Sequence, residues 1–121
     1  MHSKTVVTLI LAASSSAALA HHSFAMFDMK KDVTTAAVVT DFKWTNPHSW
    51  MHVDVADTRG TKRNFAIEMT SPNNLVHGGW RRSSLKPGDQ VTVTYHPLIN
   101  GKLGGSLVRV VLADKTTLEN K

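Results

Sequence analysis

Histidines carry most of the chemistry that this sequence can offer. Of seven in 121 residues, six lie beyond position 20: His21, His22, His48, His52, His77 and His96. Imidazole is the commonest metal ligand among side chains and the one that titrates near neutral pH. Residues 1–20 read as a cleaved export signal. Lys4 supplies the positive start, residues 6–13 an apolar run, and Ala18-Leu19-Ala20 the small-x-small pattern that signal peptidase cuts after. Cleavage before His21 makes that residue the mature N-terminus. Its α-amine, with a solution pKa of about 8, and its imidazole then chelate one metal from a single residue. A second histidine delivered by the fold completes a T-shaped set of three nitrogens. Copper(II) outcompetes the other divalent first-row ions for nitrogen donors and favours tetragonal geometry, so copper is the expected metal. A second local mode uses His22: the α-amine, one deprotonated amide and the second-position imidazole hold copper without help from the fold.

Geometry selects the partner. At about 3.3 Å per residue, His48 and His52 lie roughly 13 Å apart on a straight strand, too far to share an ion with ligand bonds near 2 Å. His48, directly after Pro47, is the expected partner of the N-terminus, and His52 with Glu68 is the second candidate. His77 and His96 read as ordinary surface histidines. Each candidate also has a plainer reading: a capped Asn46-Pro47 turn for His48, a surface hydrogen bond for His52 with Glu68, and a tail for His21 and His22. Trp50 shares a strand face with His52, and an exposed indole is a stacking surface. With Arg81 and Arg82 it defines the alternative class, a metal-free binding module for an anionic polymer, a lipid headgroup or a protein partner. Trp44 and Trp80 read as core.

Other chemistries are poorly represented. There is no cysteine, which excludes a disulfide framework, a thiol nucleophile and cysteine-ligated metal centres. No serine stands in a Gly-x-Ser-x-Gly elbow, and 101–105 lacks the spacing of a phosphate-binding loop. The sequence therefore reads as a binding protein rather than an enzyme, with a copper monooxygenase as the enzymatic variant.

Compartment shapes the charge reading. The leader's apolar run is too short to span a bilayer, which takes about 20 residues, and no later segment approaches that length, so the mature chain is expected to be periplasmic or secreted and not transmembrane. Loss of Lys4 lowers the net charge by one from the +5 of the full chain. In an exported protein such a balance points to an envelope component or a periplasmic protein rather than nucleic acid. The basic residues are dispersed as doublets: Lys30-Lys31, Lys62-Arg63 and Arg81-Arg82.

The elements that must position these residues are strands. Residues 21–32 form a polar N-terminal segment, 33–113 one β domain, and 114–121 a C-terminal tail. Ala36, Val38, Thr40, Phe42 and Trp44 share one face of a first strand that ends at Asn46-Pro47. Met51, Val53 and Val55 alternate with Trp50, His52 and Asp54 in a second; Phe65, Ile67 and Met69 alternate with Asn64, Ala66 and Glu68 in a third, after a turn at Arg59-Gly60-Thr61. Matching the apolar faces pairs Val53 with Ile67 and His52 with Glu68. Ser71 caps a short helix that begins at Pro72 and stops at Gly78. The Lys86-Pro87-Gly88-Asp89 turn leads into Val91, Val93 and Tyr95, His96-Pro97 closes that strand, and a loop holding Asn100-Gly101 and Gly104-Gly105 precedes a last strand at 107–113. Three strands, a short helix and two strands give an all-β fold, a small five-stranded OB-like Greek-key barrel, with a small open β-sandwich as the alternative.

Two resemblances follow. The segments His21-His22-Ser23, Trp44-x-Asn46-Pro47-His48, Glu68-x-x-Ser71-Pro72-x-x-Leu75, Gly79-Trp80, Leu85-Lys86-Pro87-Gly88-Asp89 and His96-Pro97-Leu98 resemble a family of small exported bacterial proteins classed as a domain of unknown function. That likeness implies secretion and a compact β domain and brings no reaction, ligand or assigned residue. Separately, an N-terminal histidine joined by a second one resembles the histidine brace of lytic polysaccharide monooxygenases and of periplasmic copper carriers, in that feature alone.

Overall fold

The computed structural model describes residues 25–121, so the leader, His21 and His22 lie outside the described residues. Six strands and one helix follow in order: β1 (Val33–Lys43), β2 (Trp50–Ala56), β3 (Lys62–Glu68), α1 (Pro72–His77), β4 (Gln90–Pro97), β5 (Gly104–Val111) and β6 (Thr117–Glu119). β1 is paired antiparallel with both β2 and β4, and β4 with β5. A parallel contact of β3 with β5, from Ala66 beside Gly104 to Glu68 beside Ser106, closes the ring. The result is the small OB-like Greek-key barrel, nearly all β with one short helix.

The alternation of apolar residues sets which way each strand faces, with one phase change. In β1, Ala37 and Val39 are buried, whereas Ala36 is exposed and Val38 half-buried. This reverses the face expected for the first half of the strand. A β-bulge between Val39 and Asp41 shifts the pairing register, so Phe42 and then Trp44 pack against the core. An extra residue on one strand turns every later side chain over, and strict alternation carries no sign of it. The β2–β3 hairpin keeps its expected faces but is offset by two residues: Val53 pairs with Phe65, Met51 with Ile67, His52 with Ala66, and Trp50 with Glu68. The loop explains the offset. Asp57 Oδ1 accepts the N–H groups of Arg59 and Thr61, at 2.8 and 2.9 Å, and the Thr61 carbonyl accepts the N–H of Asp57. Gly60, at φ 79°, takes the left-handed position in this turn.

Inside the ring lie Val39, Met51, Val53, Ile67, Val93 and Val110, all at 0–1% exposure. Leu75 of α1 and Trp80 just after it plug one end. Full burial of such side chains contributes about 1.5–3 kcal/mol each. Ser71 caps α1 by accepting the Asn74 N–H, and Gly78 ends it. Trp80 donates its indole N–H to the Glu119 carbonyl at 2.8 Å, so the aromatic plug is tied to β6. Thus 114–121, expected to be a tail, contains β6, which extends β5 through Arg109 with Glu119 and Val110 with Leu118. Closure also depends on Gly104 and Gly105. A Cβ at Gly104 would meet the Ala66 carbonyl of β3, and one at Gly105 the His96 carbonyl of β4. The two glycines read from sequence as loop are therefore the first residues of β5.

Candidate functional site

His48 enters the site from the turn before β2. The Asn46–Pro47 peptide is cis, and Thr45 Oγ1 donates to the His48 carbonyl at 2.8 Å. Ser49, fully buried, continues the β2–β3 ladder: its N–H donates to the Thr70 carbonyl and its carbonyl accepts the Met69 N–H. The His48 backbone is thereby fixed on both sides. Its Nδ1 lies 3.0 Å from the Met69 carbonyl oxygen. A carbonyl only accepts, so Nδ1 carries the hydrogen and the lone pair of the neutral ring is on Nε2. The side chain is 44% exposed. An imidazole oriented through Nδ1–H to a backbone carbonyl, with Nε2 free, is the arrangement that metal-ligating histidines adopt.

Glu68 stands beside it. At the end of β3 it is paired with Trp50 on one side and with Ser106 on the other, so its position is set by two ladders. One carboxylate oxygen, Oε1, lies 3.5 Å from His48 Nδ1, and the side chain is only 12% exposed. Burial pushes the Glu68 carboxyl above its ordinary value, and the neighbouring His48 pulls part of the way back. A cavity of about 100 Å³ separates these groups from Phe27, Met69, Thr70, Ser106 and Asn120. Pockets for drug-sized molecules run to about 300–1,000 Å³, so this one suits an ion or a few waters. Asn120 is committed to structure there: Oδ1 accepts the Thr70 N–H at 2.7 Å and Nδ2 donates to the Leu107 carbonyl at 2.9 Å.

The first described residues reach the same place. Phe27 is buried in an isolated bridge with Leu98, flanked by the bonds Asp28 N–H to Pro97 carbonyl and Ile99 N–H to Met26 carbonyl. His96 holds that segment down. Its Nδ1 lies 3.0 Å from the Lys31 carbonyl and 3.1 Å from Asp32 Oδ1. It is thus a clamp between β4 and the N-terminal segment rather than an ordinary surface histidine.

Of the histidines and carboxylate expected to bind metal, the fold brings His48 and Glu68 together. His52 is opposite Ala66 on β3 and Asp41 on β1, and the residue across from Glu68 is Trp50 instead. Trp50, half-buried, is the cross-strand neighbour of Glu68 and Lys43. Arg81 and Arg82 are exposed in the turn after α1, where the Arg81 N–H is accepted by Ser84 Oγ at 2.8 Å. His77 ends α1 and is exposed. Among the described residues no group of three or more His, Cys, Asp and Glu could hold a metal by itself. The sequence did not point to Phe27, Ser106 or Asn120. Phe27 left one trace, its place in the apolar run Phe24-Ala25-Met26-Phe27, while Asn120 left none.

Among the described residues, no helix is long and apolar enough to cross a membrane. No curated protein and no solved structure matches the chain. A family model described as a family of unknown function, DUF6152, matches residues 8–107.

Proposed function

We propose that this chain, which belongs to the DUF6152 family, is an exported periplasmic protein that binds copper(II) through its mature N-terminus and His48. The observation that carries the reading is that Phe27, six residues after His21, lines the same small cavity as His48 and Glu68. Six residues span at most about 20 Å, so the N-terminal amine and the imidazoles of His21 and His22 have His48 within reach. His48 would supply Nε2, and the His21 α-amine and imidazole the other two nitrogens. Glu68, 3.5 Å from Nδ1, stands on the side of the ring opposite Nε2 and helps to orient His48. In this division of labour the fold presents His48, and the N-terminus brings the remainder. Copper bound there would be buffered or passed on to an acceptor, with copper(II) as cargo.

The test is a copper(II) titration of the chain starting at His21 beside the same chain with its N-terminal amine acetylated, both shown folded by circular dichroism. One-to-one binding that weakens by about 100-fold or more in the acetylated chain is the expected result, since an outer partner of a metal-ligating histidine alone accounts for about 10–100-fold. Equal affinity in the two proteins refutes the N-terminal site.

A further inference from the structure

Five large hydrophobic side chains are exposed among the described residues: Met26, Met29, Val76, Ile99 and Leu103. Val76 belongs to α1. The other four, between 41% and 65% exposed, belong to two segments whose backbones lie side by side. Ile99 and Leu103 belong to the β4–β5 loop. The segment carrying Met26 and Met29 lies against that loop through the Ile99 N–H to Met26 carbonyl bond, at 2.9 Å, and the Phe27–Leu98 bridge. Ile99 and Leu103 share a groove of about 420 Å³ with Lys31, Lys102 and the edge-to-face pair Phe65 and Tyr95. Scattered apolar side chains on a surface are ordinary, whereas exposed ones on adjoining segments mark a candidate interaction surface.

Charge and residue type say what covers them. Lys30, Lys31 and Lys102 are exposed around the four, and among the described residues none of their ammonium groups is in an ion pair. The two nearby carboxylates are engaged: Asp28 Oδ1 accepts the Lys30 N–H, and Asp32 faces His96. The exposed tips are aliphatic or thioether, without the Trp, Tyr or Arg that anchor protein interfaces. Flexible apolar tips ringed by lysines match a bilayer boundary, where the tips enter the acyl region and the ammonium groups meet headgroup phosphates. From this we infer that the β4–β5 loop and the Met26–Met29 segment dock the protein on a membrane surface rich in acidic phospholipid. The four exposed apolar residues and the three lysines do not line the cavity of the proposed copper site, although Phe27, between the two methionines, does.

Vesicle flotation tests the inference with a chelator present, which keeps it separate from copper binding. The chain from His21 onward is mixed with vesicles of equal phosphatidylglycerol and phosphatidylcholine, or of phosphatidylcholine alone. Partitioning to the acidic vesicles should be about tenfold stronger and should fall when salt rises from about 0.05 M to about 0.5 M. The double variant Ile99→Ser with Leu103→Ser should lose about tenfold, as should Lys31→Glu with Lys102→Glu, each with an unchanged circular dichroism spectrum. Equal partitioning to both vesicle types, or undiminished binding by the folded Ile99→Ser, Leu103→Ser protein, overturns it. So does a dimer in solution that this same double variant dissolves, because the surface would then belong to a second copy of the chain.

Discussion

The Nδ1 atom of His48 lies 3.0 Å from the carbonyl oxygen of Met69, the residue that follows Glu68 at the end of β3. This bond fixes both the ring's orientation and its tautomer. His96 makes the same kind of bond, but the His48 side chain is the more exposed of the two and borders the small cavity, so it is the histidine from which a metal ligand should be sought. His48→Ala should weaken copper(II) binding by about 100-fold or more, on the scale expected for a ligand rather than an outer partner. His52→Ala, within β2 and opposite Ala66, should change it by less than about threefold. Titration of the two variants side by side decides the assignment, and a larger loss in His52→Ala would reverse it.

Glu68 sets a pH dependence. Its carboxyl is raised in the folded protein, by burial first, with His48 opposing. A raised group stabilises the fold at pH below its unfolded value, about 4.3, and that contribution is lost as pH rises through the folded value. Glu68→Gln removes the loss. In metal-free protein, the melting temperature of Glu68→Gln relative to the unsubstituted chain should therefore be more favourable at about pH 7 than at about pH 4. A difference of the opposite sign would mean that the contact with His48 outweighs burial.

Ring closure depends on Gly105. A Cβ there meets the His96 carbonyl and the Tyr95 ring, and both are held in β4. Gly105→Ala should cost about 2 kcal/mol or more, at the upper end of what overpacking causes. Denaturant unfolding measures the loss, and a variant as stable as the parent would show that β5 can move away from β4.

Asn120 joins three parts of the chain with one amide. Asn120→Ala leaves the Thr70 N–H and the Leu107 carbonyl without their partner, at a cost of about 1–3 kcal/mol. Thr70 borders the His48 cavity, so copper affinity should fall along with stability. Unfolding and titration of this one variant check both.

The strand order, the helix and the barrel were legible because each rests on local signals. Alternating apolar residues mark β2 and β3, Ser71-Pro72 opens α1, and Gly-containing turns separate the elements. What escaped was set by a single residue or by tertiary contact. The bulge between Val39 and Asp41 inverts a face with no compositional mark. The turn at 57–61 chose a hairpin register two residues from the one that apolar matching suggested, because both registers put the same faces inward. That offset moved Glu68 from His52 to Trp50 across the strands, while a turn far from it in sequence brought His48 alongside. The pairing of His48 with Glu68 spans the β2–β3 hairpin and an irregular segment, and no spacing rule encodes it.

The doubly paired β1 has a kinetic consequence. Val33 meets Tyr95 across more than half the chain, and the parallel contact of β3 with β5 joins Ala66 to Gly104. The two ladders that close the barrel, β1 with β4 and β3 with β5, are therefore non-local, and non-local pairing of this kind is associated with folding over milliseconds to seconds rather than microseconds. Until β5 arrives, β3 and β4 each show a bare edge, the condition in which sheets recruit neighbouring molecules. Refolding yield should thus fall steeply with protein concentration even where the finished barrel is stable.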